Sequence, residues 1–281
     1  MADAAAILGN EEAVAFLDEM GFRGPAVGFV LGSGWGHFVD SGEVVAAASY
    51  EDIPGFGQST VAGHAGRLVR GRSGGHEYLA MQGRMHHYEG HPLSRIGAAV
   101  CVMRDLGVRE LVVTCAAGGV NPAYRVGDLV LIHDFINFML ASPLRGAGRA
   151  ARVPVGVSPR LLKAAEHAAD RAGIPLRKGV LFSSKGPSYE TPAEVRMVHT
   201  FGGDVVSMST APELIAAAAL GLEAVGLACV TNMAPGVVPG REVNHEEVIE
   251  VMEAKKTRFS ELLAAVLARL EEERLTAAGR R

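Results

Sequence analysis

Several short segments set hydrogen-bonding and cationic side chains between glycines, where a backbone can come close to a small ligand. Gly32-Ser33-Gly34-Trp35-Gly36 follows an apolar run and brings backbone amides and the Ser33 hydroxyl within reach of an anion. A tight structural turn accounts for the same residues. A dinucleotide fingerprint would place its third glycine at 37, where the chain has His37, and no GxxxxGK[ST] occurs. Gly63-His64-Ala65-Gly66-Arg67 and Gln82-Gly83-Arg84-Met85-His86-His87-Tyr88-Glu89-Gly90 read as functional loops. Arg84 offers a planar fork to two oxygens of an oxyanion, and His86 could donate a hydrogen bond or relay a proton near neutrality. A surface arginine beside turn histidines is the alternative. His86, His87 and His91 fit no strong metal-ligand spacing, so no metal is expected.

A second set of residues sits where strands give way to helices. Ser209 precedes the Thr210 helix start, where free amides and the helix dipole favour an anion, although a serine there can equally satisfy local backbone. Ala116-Ala117-Gly118-Gly119 ends a strand with small residues that permit either backbone contacts to a ligand or close packing. Glu190 stands just before the Thr191 cap, so its carboxylate can point into a cleft and accept two N–H bonds. Asn232, after Cys229-Val230-Thr231, both donates and accepts, which suits a purine edge. Each of these two could instead cap or bridge loops.

The elements that must position them are legible as an alternation. Apolar, β-branched runs at 26–32, 110–116, 128–135 and 224–232 recur between helical patterns, which predicts an α/β sheet covered by helices. Thr191-Pro192-Ala193-Glu194 has a capping Thr, a Pro suited to the first helical position and a Glu that can reach back. Thr210-Ala211-Pro212-Glu213 repeats that spacing, and Ser158-Pro159 and Asn244-His245-Glu246-Glu247 mark two further helix starts. Val248 to Leu270 keeps a helical period as a C-terminal packing helix, and Leu214 to Val230 reads as helix, turn and buried strand.

Composition narrows the class. With 281 residues, 48% of them apolar and 21% charged, the chain is an ordinary globular protein, and the lack of any linker or repeat favours one domain over 1–281. Lys and Arg number 27 against 31 Asp and Glu, so no general basic field draws nucleic acid or a membrane surface, and an anion needs a local site. Cys101, Cys115 and Cys229 form no CxxC pair, which points away from a disulfide or zinc framework and towards a reducing cytoplasm. The acidic N-terminus lacks the basic region of a secretory signal, and no stretch is long and apolar enough to span a bilayer.

Taken in order, VLGSGWG, GHAGRLV, MQGRMHHYEGHPL, CAAGGVNP, GPSYETPAE, MSTAPE, CVTNMAPG and NHEEV resemble the motifs of the trimeric-type purine nucleoside phosphorylases, from about Val27 to Arg258. The resemblance implies a single α/β domain with a mixed central sheet flanked by helices, usually assembled as a homotrimer. It implies reversible cleavage of a purine ribo- or deoxyribonucleoside by inorganic phosphate, with phosphate as co-substrate and no cofactor. On matching positions it makes Ser33, His64, Arg84, Ala116 (through its main chain) and Ser209 the phosphate set. Tyr88, Met208 and His245 would surround the sugar, Tyr189, Glu190 and Asn232 would recognise the base, and His86 would position phosphate or sugar. Ionised Glu190 accepting N1–H would favour hypoxanthine and guanine over adenine.

The chain departs from that pattern in three places. The 143–157 segment is short and Gly/Ala-rich where an aromatic residue of a neighbouring subunit commonly covers the sugar, and Val153 is the nearest match. Cys115 stands where Asn is frequent, and Ser184-Lys185 where small apolar residues are. Lys185 could alter base selectivity or be a solvated loop lysine. The alternatives weighed against this reading are a methylthioadenosine phosphorylase and a catalytically weak nucleoside-binding relative.

Overall fold

The computed structural model describes residues 9–59, 64–144, 156–240 and 243–279, apart from the side chain of His245. The chain runs α1 (Glu11–Glu19), β1 (Val27–Leu31), α2 (His37–Asp40), β2 (Glu43–Ser49), β3 (Arg67–Ser73), β4 (His76–Gln82) and a 3-10 turn (His87–Glu89). It continues through α3 (Leu93–Asp105), β5 (Glu110–Gly119), β6 (Leu129–Asn137), α4 (Pro159–Arg171) and β7 (Leu176–Ser183). The last elements are α5 (Pro192–Thr200), β8 (Val205–Ser207), α6 (Ala211–Ala219), β9 (Glu223–Met233) and α7 (His245–Ala278).

Among the described residues these strands make one sheet in the order β2-β3-β4-β1-β5-β8-β7-β6-β9, and β5 also pairs with β9. That extra pairing closes β5, β8, β7, β6 and β9 on themselves, while β2 to β4 and β1 extend outwards as an open wing. The mixture follows from the connections. Two-residue Gly74-Gly75, both at positive φ, turns β3 back antiparallel onto β4. Helical crossovers leave β1 parallel to β4 and β5, and β5 parallel to β9. The expected mixed α/β fold is therefore the one observed.

Both faces of the sheet are buried, which is why β1 and β9 read as near-continuous apolar runs. One face packs on α1, α3 and α6 through residues such as Leu17, Val100 and Leu214, and the other on α2, α4 and α7 through Phe38, Leu161 and Phe259. Helix starts follow local chemistry. Ser158 Oγ accepts from Leu161 N–H with Pro159 following it, and Thr191 and Glu194 form the reciprocal capping box that their spacing predicts. Asn244 caps α7, which extends beyond the expected Val248–Leu270 in both directions.

Thr210 departs from the expected capping box. It precedes α6 at φ 78° and its side chain makes no cap hydrogen bond. Glu213 does not reach back to it, because that carboxylate is drawn to Arg84 instead, Oε1 lying 3.1 Å from an Arg84 terminal nitrogen.

Candidate active site

A cleft of about 770 Å³, counted out to its open mouth, is lined by residues from the ends of six strands. Ser33 follows β1, Arg84, His86 and Tyr88 follow β4, and Ala116 lies near the end of β5, where the register with β9 shifts between Ala117 and Gly118. Tyr189 and Glu190 follow β7, Met208 and Ser209 follow β8, and Asn232 ends β9. Strand ends are where an open α/β framework leaves side chains free of the sheet, and a bulge at that point re-aims the chain.

One part of the cleft is built around a half-buried and a buried histidine, His64 and His86. Gly83, at φ 97°, leaves room for His64, whose Cβ would lie 2.7 Å from any Cβ placed there. His64 Nδ1 lies 3.1 Å from the Arg84 backbone nitrogen, 3.2 Å from the Arg84 carbonyl and 3.0 Å from Ser59 Oγ, and its Nε2 lies 3.2 Å from Ser33 Oγ. Ser59 Oγ donates to the Arg84 carbonyl at 2.9 Å and closes that arrangement. Burial, with help from His86 and Arg84, pushes the His64 pKa down to about 3. Beside it, His86 Nδ1 is held 3.0 Å from Glu89 Oε2, which also accepts the His86 backbone N–H at 2.7 Å. Burial lowers the His86 pKa as well, against the pull of Glu89.

The fork expected of Arg84 is arranged differently. Its guanidinium is 1% exposed. One terminal nitrogen donates to Glu213 Oε1 at 3.1 Å and to Thr210 Oγ1 at 3.3 Å, and the other to the carbonyls of Val30 and Thr114. Only Nε lacks a partner among the described residues. Arg84 therefore supplies fixed buried charge beneath the cleft, where the sequence suggested two prongs into it. Gly32 makes this approach feasible, since a Cβ there would sit 2.7 Å from the Thr114 carbonyl and 3.2 Å from the guanidinium.

Ser209 enters the cleft from a tight turn centred on Thr210, in which Ala211 N–H donates to the Ser209 carbonyl at 3.0 Å. A β-branched residue at φ 78° costs on the order of 1–3 kcal/mol, and the Arg84 contact is what holds it. Ser207 Oγ bridges the Ala116 carbonyl at 3.1 Å and Ser209 Oγ at 3.3 Å.

Elsewhere in the lining, Glu190 Oε1 accepts from Ser184 Oγ at 2.8 Å. Asn232 Oδ1 accepts from Thr231 Oγ1 at 3.1 Å, and its Nδ2 donates to the Met233 carbonyl at 3.2 Å. Tyr88 stacks on His86 with centroids 4.7 Å apart, and Tyr189 is 44% exposed at the mouth. Polar groups and the two tyrosines thus line one cleft.

Of the residues assigned to the site from the sequence, Ser33, Arg84, His86, Tyr88, Ala116, Tyr189, Glu190, Met208, Ser209 and Asn232 line this cleft, and His64 joins it through Ser33 and by stacking on His86 at 5.3 Å. The His245 side chain, Val153 and most of the 143–157 loop lie outside the described residues. His87 and His91 donate to the backbone carbonyls of His91 and Gln58, and Lys185 is exposed. Sequence reasoning missed Ser207, Glu213 and the hold of Glu89 on His86. Glu89 had a signal, its three-residue spacing from His86, which is that of a capping box.

The site is thus a cleft at the strand ends of a mixed-sheet α/β framework, lined by Ser33, Arg84, Ser209, Glu190 and Asn232 among others. The phosphorylase superfamily model matches residues 26–268, and the chain belongs to that family. It is 45% identical to purine nucleoside phosphorylase 1 of Bacillus subtilis over 267 residues, covering 93% of this chain and 98% of that protein. It is 40% identical to the purine nucleoside phosphorylase of Mycobacterium tuberculosis, covering 93% and 96% of the two chains. Among solved structures, the Schistosoma mansoni purine nucleoside phosphorylase in complex with inosine superposes with a TM-score of 0.82 at 31% identity, covering 91% of this chain and 94% of that one.

Proposed function

We infer that this chain is a purine nucleoside phosphorylase, a pentosyltransferase that cleaves a purine nucleoside with inorganic phosphate to give the free base and pentose 1-phosphate. The observation that carries the reading is the single cleft joining Ser33, Arg84 and Ser209 to Glu190 and Asn232. Relatives of that activity match nearly the whole chain.

The chemistry needs both ends at once. Departure of the base leaves positive charge on the sugar ring while negative charge gathers on the purine. Phosphate held beneath C1′ offsets the first and is already placed to attack, so positioning and electrostatics replace a covalent nucleophile. Ser33, His64 through Nε2, Ser209 and the Ala116 main chain are assigned to phosphate, with Arg84 as buried charge below. His86 positions phosphate or sugar, and Tyr88, Met208 and His245 face the sugar. Asn232 donates to N7 as it gains electron density, and Glu190 accepts N1–H of a 6-oxopurine. Inosine and guanosine, with their 2′-deoxy forms, are the substrates this edge favours. The reading includes a cytoplasmic homotrimer that uses no cofactor; among the described residues no helix is long and apolar enough to cross a membrane.

The test is release of hypoxanthine from inosine, with and without phosphate. Equimolar ribose 1-phosphate supports the reading, and binding without turnover overturns it. Faster cleavage of methylthioadenosine than of inosine would reassign the substrate.

A further inference from the structure

Ser184 lies behind the cleft lining, yet its hydroxyl donates to Glu190 Oε1 at 2.8 Å. The two residues have very different footing. Ser184 is anchored to the sheet, because its N–H donates to the Ser207 carbonyl at 3.0 Å just beyond the β7–β8 ladder. Its neighbour Ser183 donates through Oγ to the Ser209 carbonyl at 3.0 Å. Glu190 instead stands at the far end of a loop whose Pro187, Ser188 and Tyr189 are exposed. A glutamate on such a loop has many rotamers to lose when a ligand fixes it.

We propose that Ser184 is the positioning residue that pre-orders the Glu190 carboxylate for purines bearing an N1 proton, and so contributes to base selectivity. The inference rests on the assignment of Glu190 to the base edge. A hydroxyl suits the task because it donates to one carboxylate oxygen and leaves the other, together with a second lone pair on the first, to accept from the base. Ordering paid before the substrate arrives appears as tighter binding, with the bond-breaking step unchanged. An apolar residue at 184 could close the loop by packing, but it could not fix the carboxylate.

The experiment compares wild type, Ser184→Ala and Ser184→Thr with inosine and guanosine, and measures inhibition by purine riboside, which has no N1 proton. In Ser184→Ala, KM for inosine and guanosine should rise about three- to tenfold, the range of one lost hydrogen bond, with kcat within about twofold. Ser184→Thr should restore KM, and Ki for purine riboside should stay within about twofold of wild type. Weakening of purine riboside equal to that of inosine, or a fall in kcat with KM unchanged, would show that Ser184 only shapes the loop and would overturn the proposal. Unchanged constants in Ser184→Ala would overturn it too. Should Ser184→Ala fail to fold, failure of Ser184→Thr to match the wild-type KM would do the same. A wild-type chain inert towards both nucleosides would instead overturn the functional reading beneath it.

Discussion

His64 and His86 stack with centroids 5.3 Å apart and rings inclined at 24°, each held through Nδ1 by a different partner. His64 Nδ1 lies against the Arg84 backbone and Ser59 Oγ, while His86 donates at Nδ1 to Glu89. His86 is buried and His64 half-buried within the field of the Arg84 guanidinium, and that placement lowers both pKa values. A proton on either would face the other ring and the arginine without the water that normally shares the charge.

Acid should therefore destabilise the fold before it titrates most carboxylates. The His64 pKa of about 3 lies below the ordinary 6.5, so between these values the unfolded chain binds a proton that the folded chain refuses. Stability from this group is complete above pH 6.5 and is lost as pH falls towards 3. Its slope is at most about 1.4 kcal/mol per pH unit, and less because the ring is only partly buried. Urea midpoints at pH 7.5 and 5.5 should drop further for wild type than for His64→Asn, which does not titrate. Equal drops would place the acid sensitivity elsewhere.

Asn232 should act on the chemical step more than on binding. In the proposed role its amide bonds the base most strongly once charge reaches N7, so Asn232→Ala should lower kcat for inosine by about a hundredfold with a smaller change in KM. Asn232→Asp should lose more, because a carboxylate repels the charge that the amide welcomed. Steady-state kinetics on both variants checks the order.

Where sequence spacing described a local event, the structure follows it. Ser158 and Thr191 cap their helices because the partners are three residues away and nothing distant competes. Thr210 and Glu213 have the same spacing and do otherwise, since a buried guanidinium 126 and 129 residues away in sequence claims both side chains. The β3–β4 hairpin is not read from the sequence, because RLVRGRS and HEYLAMQ show no clear alternation, and three-residue β8 is too short to carry any period. In the cleft, residues that face the space were recognisable by type and place. Ser207 lines the cleft too but was missed, and Ser184 and Glu213 bond to Glu190 and Arg84, partners that no spacing along the chain reveals.

Arg160 ties the starts of β5 and β9 to the end of α7, with Glu223 Oε2 2.8 Å from its Nε and Glu273 Oε2 2.9 Å from a terminal nitrogen. It also pairs with Glu110, which is 4% exposed and whose carboxyl burial pushes above the ordinary carboxylate range. Arg160→Met strands that carboxylate, with a cost below the roughly 3–5 kcal/mol of breaking a fully buried pair, because Arg160 is partly exposed. A raised folded pKa means that the folded chain takes up the proton first as pH falls, so the deficit should shrink from pH 7.5 to 5.5. Denaturation of both proteins at the two pH values measures it, and a deficit independent of pH would exclude Glu110 as its source.

Glu213 and Arg84 should behave as a coupled pair in stability and as separate residues in function. Both are nearly sealed from water, at 3% and 1% exposure, so removing either partner leaves a lone buried charge. Glu213→Ala should cost about 3–5 kcal/mol. Changing both together, Arg84→Met with Glu213→Leu, should recover most of that loss, since an apolar pair of similar volume has no charge to desolvate. The double variant should nonetheless fail in phosphorolysis, because the fixed positive charge beneath the phosphate pocket is gone and the Thr210 turn has lost the contact that holds it. Raising phosphate should not rescue it, whereas a variant that had merely loosened the pocket would recover at saturating phosphate. A double variant that folds well and turns over inosine at a rate near wild type would remove Arg84 from the catalytic argument altogether.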